Sequence, residues 1–179
     1  GDYLTIPDSD DFDLGTGNFS MEAWVNVLSV PLVSRIISQG DVETSNGDWT
    51  LGYGPRWGGG TKINFAIRSG GVLYDYTSSA ITININTWHH IALIRSGSTF
   101  YYFIDGVQAG TSVSSYALTS SQIVYVGARK EPAEVAEFQN GYLDELRVIK
   151  GTALTADQIR QTYEYGLRAH QITIDFAAK

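Results

Sequence analysis

Alternation of apolar and polar side chains constrains this chain more than any other feature of its sequence. In Phe19–Val27 one face holds Phe19, Met21, Ala23, Val25 and Val27, and the other holds Ser20, Glu22, Trp24 and Asn26. A period of two indicates a strand with one buried face. Further strand-like segments, separated by turn residues, are 3–6, 35–39, 49–53, 63–68, 72–76, 81–85, 88–95, 99–104, 123–128 and 142–149.

One segment near the end of the chain has helix signals instead. Thr155 and Gln158 have the spacing of a capping box, and Asp157 lies in the first turn, where the helix dipole favours an anion. Gly166 follows as a C-terminal glycine, so the predicted helix spans residues 156 to about 165. The sequence therefore predicts an all-β fold, a two-sheet antiparallel β-sandwich (jelly roll) with one short C-terminal helix.

Strict alternation also predicts the residues of the core between the two sheets. In the strand 142–149 it points Leu143 and Ile149 inward, and Asp144 and Leu146 outward. The whole predicted core set is Phe19, Met21, Ala23, Val25, Ile91, Leu93, Leu143 and Ile149.

Length and charge set further bounds. A chain of 179 residues predicts a single domain over residues 1–179, with residues 166–179 as an extra C-terminal strand or tail. Its 19 acidic residues exceed its 12 basic ones, which gives a formal net charge of −7. This balance argues against a nucleic-acid partner and against docking on anionic membranes. No apolar run approaches the ~20 residues of a membrane span, so membrane insertion is not expected.

The absence of cysteine excludes zinc–thiolate sites and cysteine nucleophiles. It also favours a bacterial, archaeal or viral source over a eukaryotic secreted module. Because the sequence begins at Gly1 without a methionine or signal peptide, we expect a mature protein or part of a larger chain or assembly.

Two segments carry a family resemblance. The closing segment matches at Phe138, Gly141, Leu143, Asp144, Glu145, Leu146, Arg147 and Val148, and then at Ala153, Leu154, Thr155, Gln158 and Ile159. The opening segment matches over residues 3–7 and 11–25. Over residues 1–165 the chain resembles the laminin-G-like, concanavalin-A-like jelly-roll domains of bacterial or phage type. The family includes lectins, adhesion modules and parts of enzymes, so the resemblance implies a fold more strongly than a function.

Catalytic motifs are not evident in the sequence. A glycosidase needs two carboxylates on one side of its substrate, about 5–5.5 Å apart in retaining enzymes. The nearest string is Asp144-Glu145, whose adjacent side chains point to opposite faces of a strand. His89 and His90 are split in the same way, which argues against a lyase and favours a structural role beside Trp88. We therefore do not expect an enzyme.

Sugar binding is the chemistry that the aromatic residues favour. Pyranose rings stack on aromatic faces, while polar side chains take their hydroxyl groups. The candidate ligand-binding residues are Trp49, Tyr53, Arg56, Trp57, Tyr74 and Tyr76. The alternative is that aromatic residues within strands pack in the core. Trp57 is the strongest candidate, because it lies in a glycine-rich loop where burial is hardest to arrange.

Calcium is a candidate cofactor, since Ca²⁺ takes carboxylate and loop carbonyl oxygens. Asp144 lies in the closing motif, and Asp2 would approach it if the first and last strands paired. The alternative is that Asp144 hydrogen-bonds a neighbouring loop.

The sequence thus predicts a non-catalytic glycan-binding or adhesion module, assisted by calcium, on an extracellular, cell or virion surface. Its partner would be a glycan or a surface protein. The alternative is a structural or interaction domain of a phage-type virion or cell-surface assembly without a sugar site, and a glycoside hydrolase or lyase is less favoured.

Overall fold

The computed structural model describes residues 1–41, 46–56, 58, 60–131 and 133–170. Its strands are β1 (Leu4–Ile6), β2 (Phe19–Val27), β3 (Ser34–Gln39), β4 (Trp49–Gly54), β5 (Lys62–Ser69), β6 (Val72–Thr77), β7 (Trp88–Ser96), β8 (Thr99–Ile104), β9 (Val107–Val113), β10 (Val124–Val126), β11 (Arg129–Lys130), β12 (Val135–Ala136) and β13 (Gly141–Lys150). A short 3-10 helix spans Asp10–Phe12, and the helix α1 spans Ala156–His170. Within these described ranges, no helix is long and apolar enough to cross a membrane.

Two antiparallel sheets pack face to face. One sheet has six strands in the order β1-β10-β3-β4-β5-β6, and the other has five in the order β13-β2-β7-β8-β9. The strands β11 and β12 form a separate pair. The predicted class, a two-sheet jelly-roll sandwich with one short C-terminal helix, is confirmed.

The core lies between the inner faces of the two sheets, as alternation requires. In β2 the inward set is fully buried, and it lies in one core cluster with aromatic and aliphatic residues of β4 and β5 in the other sheet and of β7 and β8 in its own. The Asp105–Gly106 turn between β8 and β9 has φ values of 49° and 74°, as a type I′ turn needs. Residues 81–85, in contrast, form no strand although they alternate. From this loop Ile81 and Ile83 pack against the core, while Ile85 is exposed.

A β-bulge in β13 reverses the predicted facing of its second half. Leu143 pairs with Val25, but the register shifts between Asp144 and Arg147, and Glu145 has a φ of 49°. The extra residue turns Leu146 and Val148 toward the core. Ile149 pairs instead with Ser20, which belongs to the outward set of β2. The prediction that Ile149 lies in the core is therefore wrong. For Leu143 the predicted facing is confirmed, because this half-buried side chain packs against the core.

The helix begins as predicted and ends later. Thr155 Oγ1 accepts a hydrogen bond from the Gln158 N–H (3.3 Å), and Gln158 Oε1 accepts one from the Thr155 N–H (2.9 Å), so the capping box is complete. The helix then continues through Gly166 to His170. Gly166 is therefore no C-terminal cap, and residues 166–170 are helix rather than an extra strand. The rest of the predicted tail strand, residues 171–179, lies outside the described residues.

The helix covers the outer face of the five-stranded sheet. Ile159 is buried against a small apolar cluster of Ala92, Ile94 and Phe103. Further along, Trp24 stacks on Tyr163 and His170, with ring centroids 5.7 and 4.4 Å apart. The outer face of the six-stranded sheet is not covered by this helix. Charged side chains are buried on that face.

Candidate functional site

Arg35 is the centre of a polar network on the outer face of the six-stranded sheet. It lies in β3 opposite Gly52 of β4. A Cβ atom at residue 52 would lie 2.2 Å from the Ser34 carbonyl oxygen and 3.0 Å from Arg35 Cδ, so the close approach of β3 and of the arginine stem requires a glycine here. The side chain is only 2% exposed. A buried guanidinium at this position requires anionic and polar partners.

Glu137 supplies the anion. Its Oε2 accepts a hydrogen bond from Arg35 Nε (2.7 Å), and its Oε1 accepts one from Arg56 Nη1 (3.1 Å). Arg129 Nε lies 3.3 Å from Glu137 Oε2. One carboxylate thus contacts three guanidinium groups, which come from β3, from the loop after β4 and from β11. Burial lowers the pKa of Arg35, and the attraction of Glu137 raises it in opposition.

The network continues across the sheet to an exposed acid. Arg35 Nη1 donates to Asn64 Oδ1 (3.0 Å), and Asn64 Nδ2 donates to Asp75 Oδ1 (2.9 Å). Asn64 is fully buried, whereas Asp75 lies on the outward face of the edge strand β6. We call these six residues the arginine–glutamate cluster: Arg35, Arg56, Asn64, Asp75, Arg129 and Glu137.

A neighbouring residue ties the cluster to the core. Gln139 Oε1 accepts hydrogen bonds from Ser34 Oγ (2.7 Å) and from the Tyr53 hydroxyl (2.9 Å). The Arg35 N–H also donates to the Glu137 carbonyl oxygen at 3.2 Å. The segment that carries Glu137 is therefore fastened to β3 at several points. Because its supports are rigid strands, the arrangement is organised before any ligand arrives.

Two groups of the cluster reach the surface with opposite hydrogen-bonding character. Arg56 is 53% exposed and offers N–H donors, and Asp75 is exposed and offers carboxylate oxygens. Such charge-assisted donors and acceptors are stronger than neutral ones. The surface can therefore bind a ligand that carries several hydroxyl or acidic groups.

The sequence identified only part of this surface. Arg56 lies in the cluster, but Trp49 and Tyr53 do not line it. Both are fully buried in the core, so no face of either ring is open to a ligand, and this prediction is corrected. The reason is the alternation of β4, which turns Trp49, Leu51 and Tyr53 inward together. The Trp49 indole N–H donates to Gln39 Oε1 at 2.9 Å.

Tyr74 and Tyr76 are likewise not on the face of Arg56. They belong to the inward-facing residues of β6 and are half-buried at the edge of the sandwich. Tyr76 lies 5.7 Å from Phe100 and Tyr74 lies 4.4 Å from Tyr116, measured between ring centroids. Trp57 lies outside the described residues, so its predicted ligand contact stays a prediction.

Five residues of the cluster were not among the predicted ligand residues: Arg35, Asn64, Asp75, Arg129 and Glu137. Arg35 had a signal, because it is the one charged residue in the strand Ser34–Gln39, and charged side chains are rarely buried without a partner. Its partner Glu137 is 102 residues further along the chain. No local pattern joins residues so distant in sequence.

The predicted calcium residues are not brought together by strand pairing. β1 pairs with β10 and β13 pairs with β2, so the first and last strands lie in different sheets. Asp144 Oδ1 accepts from the Glu145 N–H (2.8 Å), and its Oδ2 lies 3.2 Å from His170 Nε2. In the part of the chain that the structure describes, no three His, Cys, Asp or Glu residues are grouped to hold a metal ion. Calcium binding by Asp2 and Asp144 stays a prediction without support from the geometry.

The adjacent histidines of β7 have partners on different sides of the strand. His89 Nδ1 lies 2.8 Å from Asp105 Oδ2, and His89 Nε2 accepts from the Asn84 N–H at 2.9 Å. His90 faces the helix side, where its Nε2 lies 3.3 Å from Glu22 Oε2. The two imidazoles therefore do not act on one substrate atom.

Comparison with known proteins agrees with the fold. A family model described as the concanavalin A-like lectin/glucanases superfamily matches residues 1–160. The chain belongs to this superfamily. A search of curated proteins finds no match.

Solved structures with the same fold include carbohydrate-binding domains. Domain 4 of AbnA, an extracellular GH43 arabinanase from Geobacillus stearothermophilus solved with arabinotriose, is 19% identical, with a TM-score of 0.66 over 88% of this chain and 70% of that one. The CBM40 domain of a Ruminococcus gnavus IT-sialidase, bound to α2,3-sialyllactose, is 14% identical, with a TM-score of 0.67 over 91% and 97%. A heptameric SAP-like pentraxin from Limulus polyphemus is 14% identical, with a TM-score of 0.61 over 90% and 81%. At these identities the similarity concerns the fold.

Proposed function

We propose that the chain is a non-catalytic glycan-binding module whose binding surface is the arginine–glutamate cluster. The observation that carries this proposal is the pairing of Arg56 with Glu137, which holds an exposed guanidinium in a fixed position beside a buried polar network. A guanidinium immobilised in this way loses little side-chain entropy when it donates to a ligand oxygen.

The fold neighbours support the choice of ligand. Two of them were solved with arabinotriose and with α2,3-sialyllactose, and both belong to carbohydrate-acting enzymes. Position on the sandwich supports the choice of surface, because helix α1 covers the outer face of the other sheet. We further propose that the module works on an extracellular, cell or virion surface, in keeping with the extracellular arabinanase among its neighbours.

A glycan array with matched arginine variants tests this proposal. Arg56→Ala removes the exposed guanidinium of the cluster, and Arg160→Ala removes one from the opposite side of the molecule. Both side chains are 53% exposed, so neither change should disturb folding. We expect wild type and Arg160→Ala to bind the same glycans, and Arg56→Ala to bind them about tenfold or more weakly, the factor that corresponds to about 1.4 kcal/mol.

Equal binding by Arg56→Ala and wild type would place the glycan elsewhere. Absence of any bound glycan would favour the alternative, an interaction domain of a larger surface assembly. The same array, run with calcium and with EDTA, tests whether calcium assists binding. Loss of binding in EDTA, together with loss in Asp144→Asn, is the result that the calcium prediction requires.

A further inference from the structure

A second polar cavity lies on the opposite side of the molecule, between helix α1 and the five-stranded sheet. It has a volume of about 330 Å³ and is lined by residues that include Glu22, Trp24, His90, Arg147 and Thr162. It shares Thr162 and Glu145 with a wider surface cavity of about 810 Å³, beside Tyr165 and Arg168. The two cavities therefore adjoin at Glu145 and Thr162.

Strand register brings the buried polar groups of this cavity together. Glu22 pairs with Arg147 of β13, and Trp24 pairs with His90 of β7. Glu22, Trp24 and His90 all point outward from the sandwich and are only 1–2% exposed. Burial of three polar side chains here results from the helix above them, which contributes Thr162 and Gly166.

Several polar atoms at this position lack a hydrogen-bond partner among the described residues. They are Trp24 Nε1, His90 Nδ1, His90 Nε2 and Glu22 Oε2. The last two lie 3.3 Å apart, close enough for electrostatic attraction but without hydrogen-bond alignment. Buried donors and acceptors without partners cost free energy, so each such group requires an explanation.

The character of these atoms defines a ligand. The indole N–H of Trp24 can only donate, and the carboxylate oxygen of Glu22 can only accept. A hydroxyl group does both at once, since its oxygen accepts while its proton is donated. A ligand with two or more hydroxyl groups could therefore satisfy Trp24 and Glu22 together and reach His90 as well.

The charge and the size of the cavity further restrict which ligands it could bind. Glu22 is already neutralised by Arg147, whose Nη2 donates to Glu22 Oε1 at 2.6 Å. Glu145 and Arg168, which line the outer cavity, carry one negative and one positive charge. A pocket without net charge favours a neutral ligand over an ion. Its volume of about 330 Å³ lies near the lower limit of about 300 Å³ for ligand sites.

We propose that this cavity binds a small neutral polyol, the size of one sugar ring, through Glu22, Trp24 and His90. The site is on the other sheet from the arginine–glutamate cluster and does not rest on the function proposed above.

Nuclear magnetic resonance of the Trp24 indole N–H tests the proposal directly. Glucose, galactose, arabinose and glycerol are titrated into the ¹⁵N-labelled protein to high millimolar concentration, with glucuronate as the charged comparator. We expect a saturable shift of the Trp24 indole signal with at least one neutral probe. Thr162→Tyr, which places a larger side chain where the two cavities adjoin, should abolish that shift.

Further variants keep the test independent of folding and of the other site. Arg56→Ala should leave the titration unchanged, even if it abolishes binding on the glycan array. Glu22→Gln keeps the shape of the side chain and should weaken binding about tenfold or more. The proposal is overturned if no neutral probe gives a saturable shift, which would mean that water alone occupies the cavity. It is equally overturned if the shift persists in Thr162→Tyr, or if only glucuronate binds.

Discussion

Gly166 lies directly against the indole ring of Trp24: a Cβ atom at residue 166 would lie 2.5 Å from Trp24 Nε1 and 2.7 Å from Cζ2. Close approach of helix and sheet therefore explains this glycine, although its position in the sequence suggests a helix end. Alanine is favoured over glycine by about 1 kcal/mol in a helix interior. In Gly166→Ala, the higher helix propensity of alanine should raise the free energy of unfolding, whereas the contact with Trp24 should lower it.

We expect packing to prevail. Gly166→Ala should lower the free energy of unfolding by about 1–3 kcal/mol, the usual cost of overpacking. Urea denaturation measures this change. Gln161→Ala, an exposed substitution on the same helix, is the control and should stay within about 0.5 kcal/mol of wild type. Stabilisation by Gly166→Ala would show that the helix moves away from Trp24 at little cost.

The bulge at Glu145 predicts opposite sensitivities for two adjacent residues. Val148 packs against the core and Ile149 points away from it. Val148→Ala should lower the free energy of unfolding by about 1–2 kcal/mol, since it removes methyl groups from packed surroundings. Ile149→Ala removes more atoms yet should cost less. Chemical denaturation measures the loss of stability in each variant. A larger loss for Ile149→Ala than for Val148→Ala would mean that strict alternation holds along β13.

Removing Glu137 should be strongly destabilising. Its loss leaves the buried Arg35 without its carboxylate, and breaking a buried ion pair in this way costs about 3–5 kcal/mol. Glu164→Ala provides the contrast, because the Glu164–Arg160 pair is exposed to solvent and should contribute little to stability. Thermal or urea unfolding of both variants measures the difference. A cost for Glu137→Ala no larger than that for Glu164→Ala would mean that water replaces the carboxylate.

Glu22 predicts an acid-sensitive component of stability. Burial raises the pKa of Glu22, but the interactions with His90 and Arg147 outweigh it and lower the pKa below its usual 4.5. A lowered pKa stabilises the folded state above the unfolded pKa, and this contribution is lost as the pH falls through the folded pKa. We expect wild type to lose stability below about pH 4.5 more steeply than Glu22→Gln. Unfolding free energies measured across this pH range test this prediction. Parallel pH profiles for wild type and Glu22→Gln would argue against a role for the carboxylate.

Local patterns predicted much of the fold. The alternation of Phe19–Val27, the Asp105–Gly106 turn and the capping box at Thr155 all depend on neighbours within a few residues, and the structure contains each of them. Residues 81–85 show where local patterns fail. From this loop Ile81 and Ile83 pack against the core, and no strand of the described structure includes residues 81–85.

The candidate sites were harder to predict, for a different physical reason. Alternation divides a strand into two faces but does not say which face meets the other sheet. Trp49 and Tyr53 were thus assigned to a ligand when they belong to the core. The arginine–glutamate cluster depends on contacts between residues about 100 positions apart, such as Arg35 and Glu137. Only their placement in space reveals them.

The bulge at Glu145 also limits how this segment can change in length during evolution. Deleting one residue between Asp144 and Arg147 would return the strand to an uninterrupted pleat, and every side chain on one side of the deletion would exchange faces. If the residues after the deletion exchanged faces, Leu146 and Val148 would leave the core together. If the residues before it did, Leu143 would leave the core. Insertions and deletions accepted in a surface loop are therefore excluded here. A relative with one residue fewer at this position must carry a compensating change in its pattern of apolar residues.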